Sequence, residues 1–284
     1  HGVKTMIGRM SSAQMHQGSL NVIFDAQARL QKTQEALATG KKINEASDDP
    51  VASAQITAVR AELSRLEVMQ KNVNTAYDEL AMTEASLSSA EDLISRAREI
   101  SVQGANSVLG SEDRAILATE IDAIRDQLFK LANTRSPMGD YIFAGHATNR
   151  PAFVDNLGNY EFQGDEGQRN LNIAAGVTVS VRTVGNQVFG EGETGIFAVL
   201  QNLAGGLRAD DDEIIQRSMT RIDDSQQLML EGIADLGSKM GLVEDQQLLN
   251  EAFNVQLKEN LSGLEDIDYA KAISEMNLQM VALQ

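Results

Sequence analysis

One stretch of the sequence has the spacing of a nucleotide site. Gly190-Glu191-Gly192-Glu193-Thr194-Gly195 is a literal G-x-G-x-x-G, followed by a helix-like run from Ile196 to Leu207. Val184 to Phe189 before it reads as strand-like, and Asp210 to Asp212 lie where a ribose-binding acid belongs. That chemistry is a dinucleotide held on a helix N-terminus. Against it, Glu191 and Glu193 would stand beside the pyrophosphate and repel it. No alternating strand–helix series surrounds the motif to build a parallel sheet. The alternative is a flexible exit turn into a helix. Metal and nucleophile chemistry have less to work with. His1, His16 and His146 are scattered and outside any H-E-x-x-H, and the Asp210–Glu213 run lacks the glycine and spacing of a calcium loop. There is no G-x-S-x-G elbow and no Cys, which removes thiolate ligands, disulfides and a cysteine nucleophile. Forty-one acids give many chance carboxylate pairs, so none is informative. We therefore expect no enzyme, no cofactor and no metal.

The elements that would position such residues are mostly helices. The 284 residues include eight Phe, four Tyr, no Trp and only three Pro, with 42% apolar content. Leu, Ile, Val, Ala and Met supply the apolar surface, a mixture that suits long helices. A formal charge of −17 argues against nucleic acid and anionic membranes as partners.

Residues 12 to 38 read as a helix with Ile23, Leu30 and Leu37 seven apart, and Gly40 follows as C-cap. Asp48 or Asp49 then caps a second helix with Pro50 in its first position. From Val51 to about Gly104, Val59, Leu66, Val73, Leu80, Leu87 and Ile94 repeat every seven residues, flanked by Ile56, Leu63 and Tyr77. Such a helix is roughly 80 Å long, so a rod is expected. Ser111 is placed to cap a third helix with a stripe of Ile116, Ile121, Ile124, Leu128 and Leu131.

Between Gly139 and Gly195 lie ten of the 22 Gly, and short alternating segments appear: Tyr141–Phe143, Tyr160–Phe162 and Val177–Val181. Turn signals stand at Leu157-Gly158-Asn159 and Val184-Gly185-Asn186. This predicts a small inserted β domain. Helical pattern returns at Ile196. Ile215, Ile222, Met229, Leu236, Val243, Leu257 and Leu264 keep a seven-residue register that only Asn250 interrupts. Gly232, Gly237 and Gly241 weaken that helix by ~1 kcal/mol each. A last helix carries Ile273, Met276, Met280 and Leu283 on one face. Met6, Met10 and Met15 at one end and Met276 and Met280 at the other suit either adaptable termini that order on assembly or ordinary core. The fold class is mainly α: an elongated rod of paired N- and C-terminal long helices with a small β insert. The expected domains are 1–45 with 266–284 as a terminal coiled coil, 46–137 and 194–265 as the two halves of the rod, and 138–193 as the β domain.

Three stretches carry a resemblance. Thr39-Gly40-Lys41-Lys42-Ile43-Asn44 with Ser47-Asp48-Asp49-Pro50-Val51-Ala52 resembles the N-terminal signature of flagellins and flagellar hook-associated proteins. Ile267-Asp268-Tyr269-Ala270 with Ile273-Ser274-Glu275-Met276-Asn277 resembles their C-terminal one. Leu131–Thr134, Gly139–Gly145 and Pro151–Phe153 are similar to the hook–filament junction members. The resemblance covers nearly the whole chain. It implies a flagellin-like rod and a structural adapter between hook-associated protein 1 on the hook side and flagellin on the filament side. It also implies self-association in a ring, a cytoplasmic export chaperone, and type III export without a cleaved signal peptide. It further implies additional residues before the Thr5-Met6-Ile7 region and an apolar tail beyond Gln284. The residues expected at subunit contacts are Met6, Met10, Met15, Lys42, Ile43, Asn44, Asp48, Asp49, Pro50, Asp268, Tyr269, Ile273, Met276 and Met280. The turn at Lys41–Asp49 reads equally as a capped, solvated turn or as a fixed corner where neighbouring subunits touch. A filament-forming flagellin remains the alternative, and a dinucleotide enzyme the remote one.

Overall fold

A computed structural model describes residues 4–283, with side chains from Gln17 onward. In chain order the elements are α1 (Lys4–Thr39), α2 (Pro50–Gly104), α3 (Ser111–Ala132), β1 (Phe153–Asn156), β2 (Asn159–Phe162), β3 (Asn170–Ala174), β4 (Val177–Ser180), α4 (Gly185–Phe189), α5 (Ile196–Ala209), α6 (Asp212–Glu265) and α7 (Tyr269–Ala282). A single 3₁₀ turn, Gly192–Thr194, precedes α5. The chain is mainly α with a small β region, as the periodicity predicts. It divides into two compact units, His1–Leu66 with Glu251–Gln284, and Glu67–Asn250.

The core of the Glu67–Asn250 unit follows from heptad spacing. Val73, Leu80, Leu87 and Ile94 of α2 are buried, as are Ile215, Ile222, Met229, Leu236 and Val243 of α6. Full burial of a side chain of this kind is worth about 1.5–3 kcal/mol. The two helices run antiparallel: Arg98 Nε donates to Asp223 at 2.5 Å, and Gln226 Nε2 donates to Ser95 and Glu91 at 2.8 and 2.9 Å. Between the large residues stand small ones, Ala76, Thr83, Ala90 and Ala97 on α2 and Ser218 and Ser225 on α6, all buried. Alternation of large and small side chains lets such helices interdigitate. Tyr77, expected to flank this seam, points outward at 37% exposure, and Ala76 takes the inner position. The neighbouring position is right for the period and small enough for close approach.

On α3 the first residue of the expected stripe is likewise one position off. Ile116 is 68% exposed, while Leu117 and Ala118 are buried with Ile121, Ile124 and Leu128. Gly110 rather than Ser111 is the N-cap. The buried face also holds Arg114, only 3% exposed. Its Nη1 meets Asp210 at 2.6 Å and its Nη2 meets Asp212 at 2.8 Å, tying α3 to the corner between α5 and α6. Asp211, between those two, caps α6 by accepting from the Glu213 and Ile214 amides at 3.0 and 3.1 Å. The acidic run is therefore a capped, clamped corner.

The β region contains two separate antiparallel hairpins, β1–β2 and β3–β4. At the first tip Leu157 and Gly158 both take positive φ, 57° and 90°, the conformation of a type I′ turn. Of the strands expected, Tyr160–Phe162 falls in β2 and Val177–Ser180 forms β4. Tyr141–Phe143 is not a strand. It is irregular chain in which Tyr141 bridges Arg135 and the Ile142 amide donates to Thr134 O at 3.1 Å. Asn133 completes this knot by pairing its amide with both the N–H and C=O of Phe153, each at 3.0 Å. The three segments Leu131–Thr134, Gly139–Gly145 and Pro151–Phe153 are thus hydrogen-bonded into one assembly. Val184–Gly185–Asn186, read as a turn, opens helix α4 instead. Phe129, Phe143, Phe153, Tyr160, Phe162, Phe189 and Phe197 form one ring cluster with centroid spacings from 5.2 to 6.0 Å. It joins β1 and β2 to α3, α4 and α5, and edge-on pairs of this kind add about 0.5–1.5 kcal/mol each beyond burial.

Candidate assembly surface

The other unit brings together both ends of the chain. Helix α1 stops because Gly40 adopts φ +73°, a left-handed conformation that glycine reaches without strain, with its N–H on Ala36 O at 2.9 Å. A Cβ there would come within 3.0 Å of the Tyr269 hydroxyl. Lys41 then forms an isolated antiparallel bridge with Asp266. Lys42 N–H donates to Glu265 O at 2.7 Å, and Ile267 N–H donates to Gly40 O at 2.9 Å. Lys42 Nζ donates to Gly263 O at 2.8 Å. A cation there also suits the negative C-terminal end of α6. Glu265 is buried, with Lys41 Nζ at 3.2 Å from one oxygen and the Arg60 guanidinium on the other.

The following turn is held by two aspartates with different tasks. Asp48 accepts from the Asn44 and Glu45 amides, each at 3.1 Å, and from Lys32 Nζ at 2.7 Å. The Lys32 hydrogen bond, then the two backbone N–H groups, lower its carboxyl from 3.8 to about 2. Asp49 caps α2, accepting from the Val51 and Ala52 amides at 3.0 Å, with Pro50 as the first helical residue. Asn44 Oδ1 receives the Thr39 hydroxyl at 2.9 Å. Asp268 caps α7 by accepting from the Lys271 amide at 3.1 Å.

The structure therefore gathers Lys42, Asn44, Asp48, Asp49 and Pro50 in one turn, and the Gly40–Lys42 end of that turn hydrogen-bonds to the segment just before Asp268 and Tyr269. Ile43 is half-buried beside them. Helix α7 packs against α1. Ala272 is its buried residue and Met276 is half-buried, while Tyr269, Ile273 and Met280 remain exposed. Met6, Met10 and Met15 lie outside the residues whose side chains are described. Sequence reasoning missed Glu265, Arg60 and Lys32. Glu265 and Arg60 are 205 positions apart, and nothing in the local sequence marks Glu265 for burial or Arg60 as its partner.

The apolar stripes of this unit are largely uncovered. Leu20, Val22, Ile23 and Phe24 of α1 are exposed, as are Phe253 and Val255 of α6 and Leu278 and Val281 of α7. Large exposed apolar side chains in such number make this unit the candidate contact surface.

The remaining chemical candidate changes character in three dimensions. The Gly190–Gly195 segment follows helix α4 rather than a strand, so the strand that a dinucleotide fingerprint requires is replaced. Glu193 O accepts from Arg221 Nη1 at 3.2 Å beside an open groove of about 540 Å³. His146 donates its backbone N–H to Asp165 Oδ1 at 2.7 Å, and the Gly167 amide reaches the same oxygen at 2.8 Å. Those two bonds lower the Asp165 carboxyl. Among the described residues no group of His, Asp and Glu is placed to hold a metal ion, and no helix is long and apolar enough to cross a membrane.

Comparison with known proteins gives consistent likenesses. The family described as the bacterial flagellin N-terminal helical region matches residues 10–148. Flagellar hook-associated protein 3 of Escherichia coli is 26% identical, covering 97% of this chain and 94% of its own length. Flagellin of Listeria innocua is 25% identical, covering 89% and 84%. In three dimensions the fold is similar to that of a flagellar hook-associated protein from Vibrio parahaemolyticus. The TM-score is 0.72 at 22% identity, over 77% of this chain and 100% of that one.

Proposed function

We propose that the chain is a member of the flagellin superfamily and a structural adapter of the bacterial flagellum, a subunit that joins hook to filament. The observation that carries this reading is the end-to-end likeness to hook-associated protein 3, which covers more of the chain than the likeness to flagellin does.

The mechanism is geometric. Copies pack side by side through the exposed apolar faces of α1, α6 and α7, forming a ring. Each face contributes modestly, since half-exposed side chains have only part of the about 1.5–3 kcal/mol of full burial still to gain. Many such contacts per subunit make the assembly cooperative. Hook-associated protein 1 is the partner on one side of the ring and flagellin on the other. The turn from Lys42 to Pro50 and the start of α7 at Asp268 and Tyr269 form a rigid corner that presents the terminal helices. Met6, Met10, Met15, Ile273, Met276 and Met280 supply adaptable contacts, and Ile43 and Asn44 brace the corner. Before assembly a cytoplasmic export chaperone holds the chain, which leaves by the flagellar type III route.

Deleting the gene and imaging the cell surface by electron microscopy tests the reading. Hooks without filaments, with flagellin shed into the medium, are expected. Normal filaments would overturn it. The match to a flagellin family keeps one second reading in view, that the chain is itself a filament subunit. Growth of filaments from the purified full-length protein alone would favour that instead.

A further inference from the structure

The tip of the β1–β2 hairpin combines two features that work against its own stability. Leu157 sits at φ +57°, in the left-handed region, where a bulky side chain is strained. A type I′ turn favours Asn, Asp or Gly at that position. The same residue is fully exposed, at 107%, so no packing within its own chain offsets the strain. Strain from which the fold gains nothing marks a residue kept for another contact. The tip is also acidic. Asp155 accepts from the Gly158 amide at 2.7 Å, and Glu161 accepts from the Asn156 and Asn159 side-chain amides at 3.0 and 2.9 Å. Neither carboxylate meets a cation among the described residues. A shallow groove of about 470 Å³ lies between the last turn of α3 and the start of β1. Phe129, Tyr141, Pro151, Phe153 and Val154 line it, with Lys130 and Asp155 at its rim. Arg135 lies over the Tyr141 ring, 4.4 Å from its centroid. Neither Lys130 nor Arg135 has a carboxylate partner among the described residues, although the chain carries a net charge of −17.

We propose that this groove receives the Leu157 tip of a second copy of the chain. Leu157 enters against Phe129 and Val154, while Asp155 and Glu161 of the incoming tip approach Lys130 and Arg135. Burial of the apolar side chain offsets the backbone strain, and charge decides which hollow the tip enters. A second apolar hollow, of about 400 Å³ beside Met82 and Ile142, is the poorer match. There Asp78, Glu79 and Asp140 outnumber Arg169 and Arg182 and repel an acidic tip. Tip and groove are distinct surfaces of the Glu67–Asn250 unit, so the contact passes from copy to copy. It uses none of the exposed faces of α1, α6 and α7, and it holds whether or not the chain works at a flagellar junction.

The chain has no Cys, so single introduced cysteines report the contact without interference. Full-length copies carrying Asn156→Cys are mixed with copies carrying Gln127→Cys, an exposed position one turn before Lys130 on α3, and joined by a short bismaleimide. The control replaces Gln127→Cys by Val108→Cys, equally exposed but beyond the other end of α3. The mixed cross-linked pair should be about tenfold more abundant than in the control. Adding Leu157→Asn to the Asn156→Cys copy, or Lys130→Glu to the Gln127→Cys copy, should bring the yield down to the control. Leu157→Asn should also raise the melting midpoint of dilute protein by about 2 °C, because Asn relaxes the turn. A mixed pair no more abundant than the control overturns the proposal. So does a yield that survives Leu157→Asn, or a midpoint that Leu157→Asn lowers, which would mean that Leu157 packs on its own chain.

Discussion

Three glycines of α6 make opposite demands on the same substitution. Gly237 and Gly241 have nothing within 4 Å of where a Cβ would stand. Alanine there costs no contact and removes backbone freedom from the unfolded chain, so each change should stabilise by about 0.5–1 kcal/mol. Gly232 differs. A Cβ would lie 2.4 Å from Cγ1 of Val188, a buried, β-branched residue of α4 with little rotamer freedom. Overpacking of that kind costs about 1–3 kcal/mol, which outweighs the propensity gain. Gly232→Ala should therefore destabilise by about 1–2 kcal/mol net. For a unit the size of Glu67–Asn250, 1 kcal/mol moves the midpoint by about 2–4 °C. Thermal melts followed by circular dichroism should place Gly237→Ala above wild type and Gly232→Ala below it, separated by about 5 °C. Val188→Ala combined with Gly232→Ala should cost about 1 kcal/mol less than the two changes measured separately, because the truncated side chain makes room for the added Cβ. If all three alanines raise the midpoint alike, α4 is not seated on α6 at Gly232 and the packing argument fails.

Other consequences can be checked in the same protein. Asn133→Ala strips partners from both backbone groups of Phe153 and should cost about 1–3 kcal/mol by urea denaturation; a loss below a few tenths would count against the knot. Replacing Asp210 and Asp212 together by Asn leaves the buried Arg114 without its charges. With both carboxylates exposed, the expected loss is about 1–3 kcal/mol rather than that of a fully buried pair. Asp48 titrates at about 2 in the folded chain, against 3.8 ordinarily. Its contribution to stability is therefore present above pH 3.8 and lost as pH falls through about 2. An NMR titration of its carboxyl should show that low midpoint, and Lys32→Met should move it upward; a wild-type midpoint near 3.8 contradicts the hydrogen-bonding scheme. Finally, saturating NAD should leave the melting midpoint unchanged, since a ligand bound only by the folded state would raise it.

What the sequence determined by itself lies within a few residues of each signal. The heptads of α2 and α6 announce the core because a seven-residue period keeps one helix face turned to one partner. Gly40, Asp49, Pro50 and the Leu157-Gly158 turn announce their ends because cap and turn chemistry acts between near neighbours. Periodicity left a one-residue ambiguity, which is why Tyr77 and Ile116 were assigned to faces that Ala76 and Leu117 occupy. Only the tertiary structure decided the rest. Arg114 is buried because Asp210 and Asp212 arrive from 96 and 98 positions away, and Glu265 because Lys41 and Arg60 meet it from the other end of the chain. Tyr141–Phe143 alternates like a strand but finds no strand beside it; Thr134 and Arg135 supply its neighbours instead. Val184–Phe189 likewise turns helical against Gly232. Strand pairing, buried charge and aromatic clustering all depend on which distant groups arrive, and no local pattern records that.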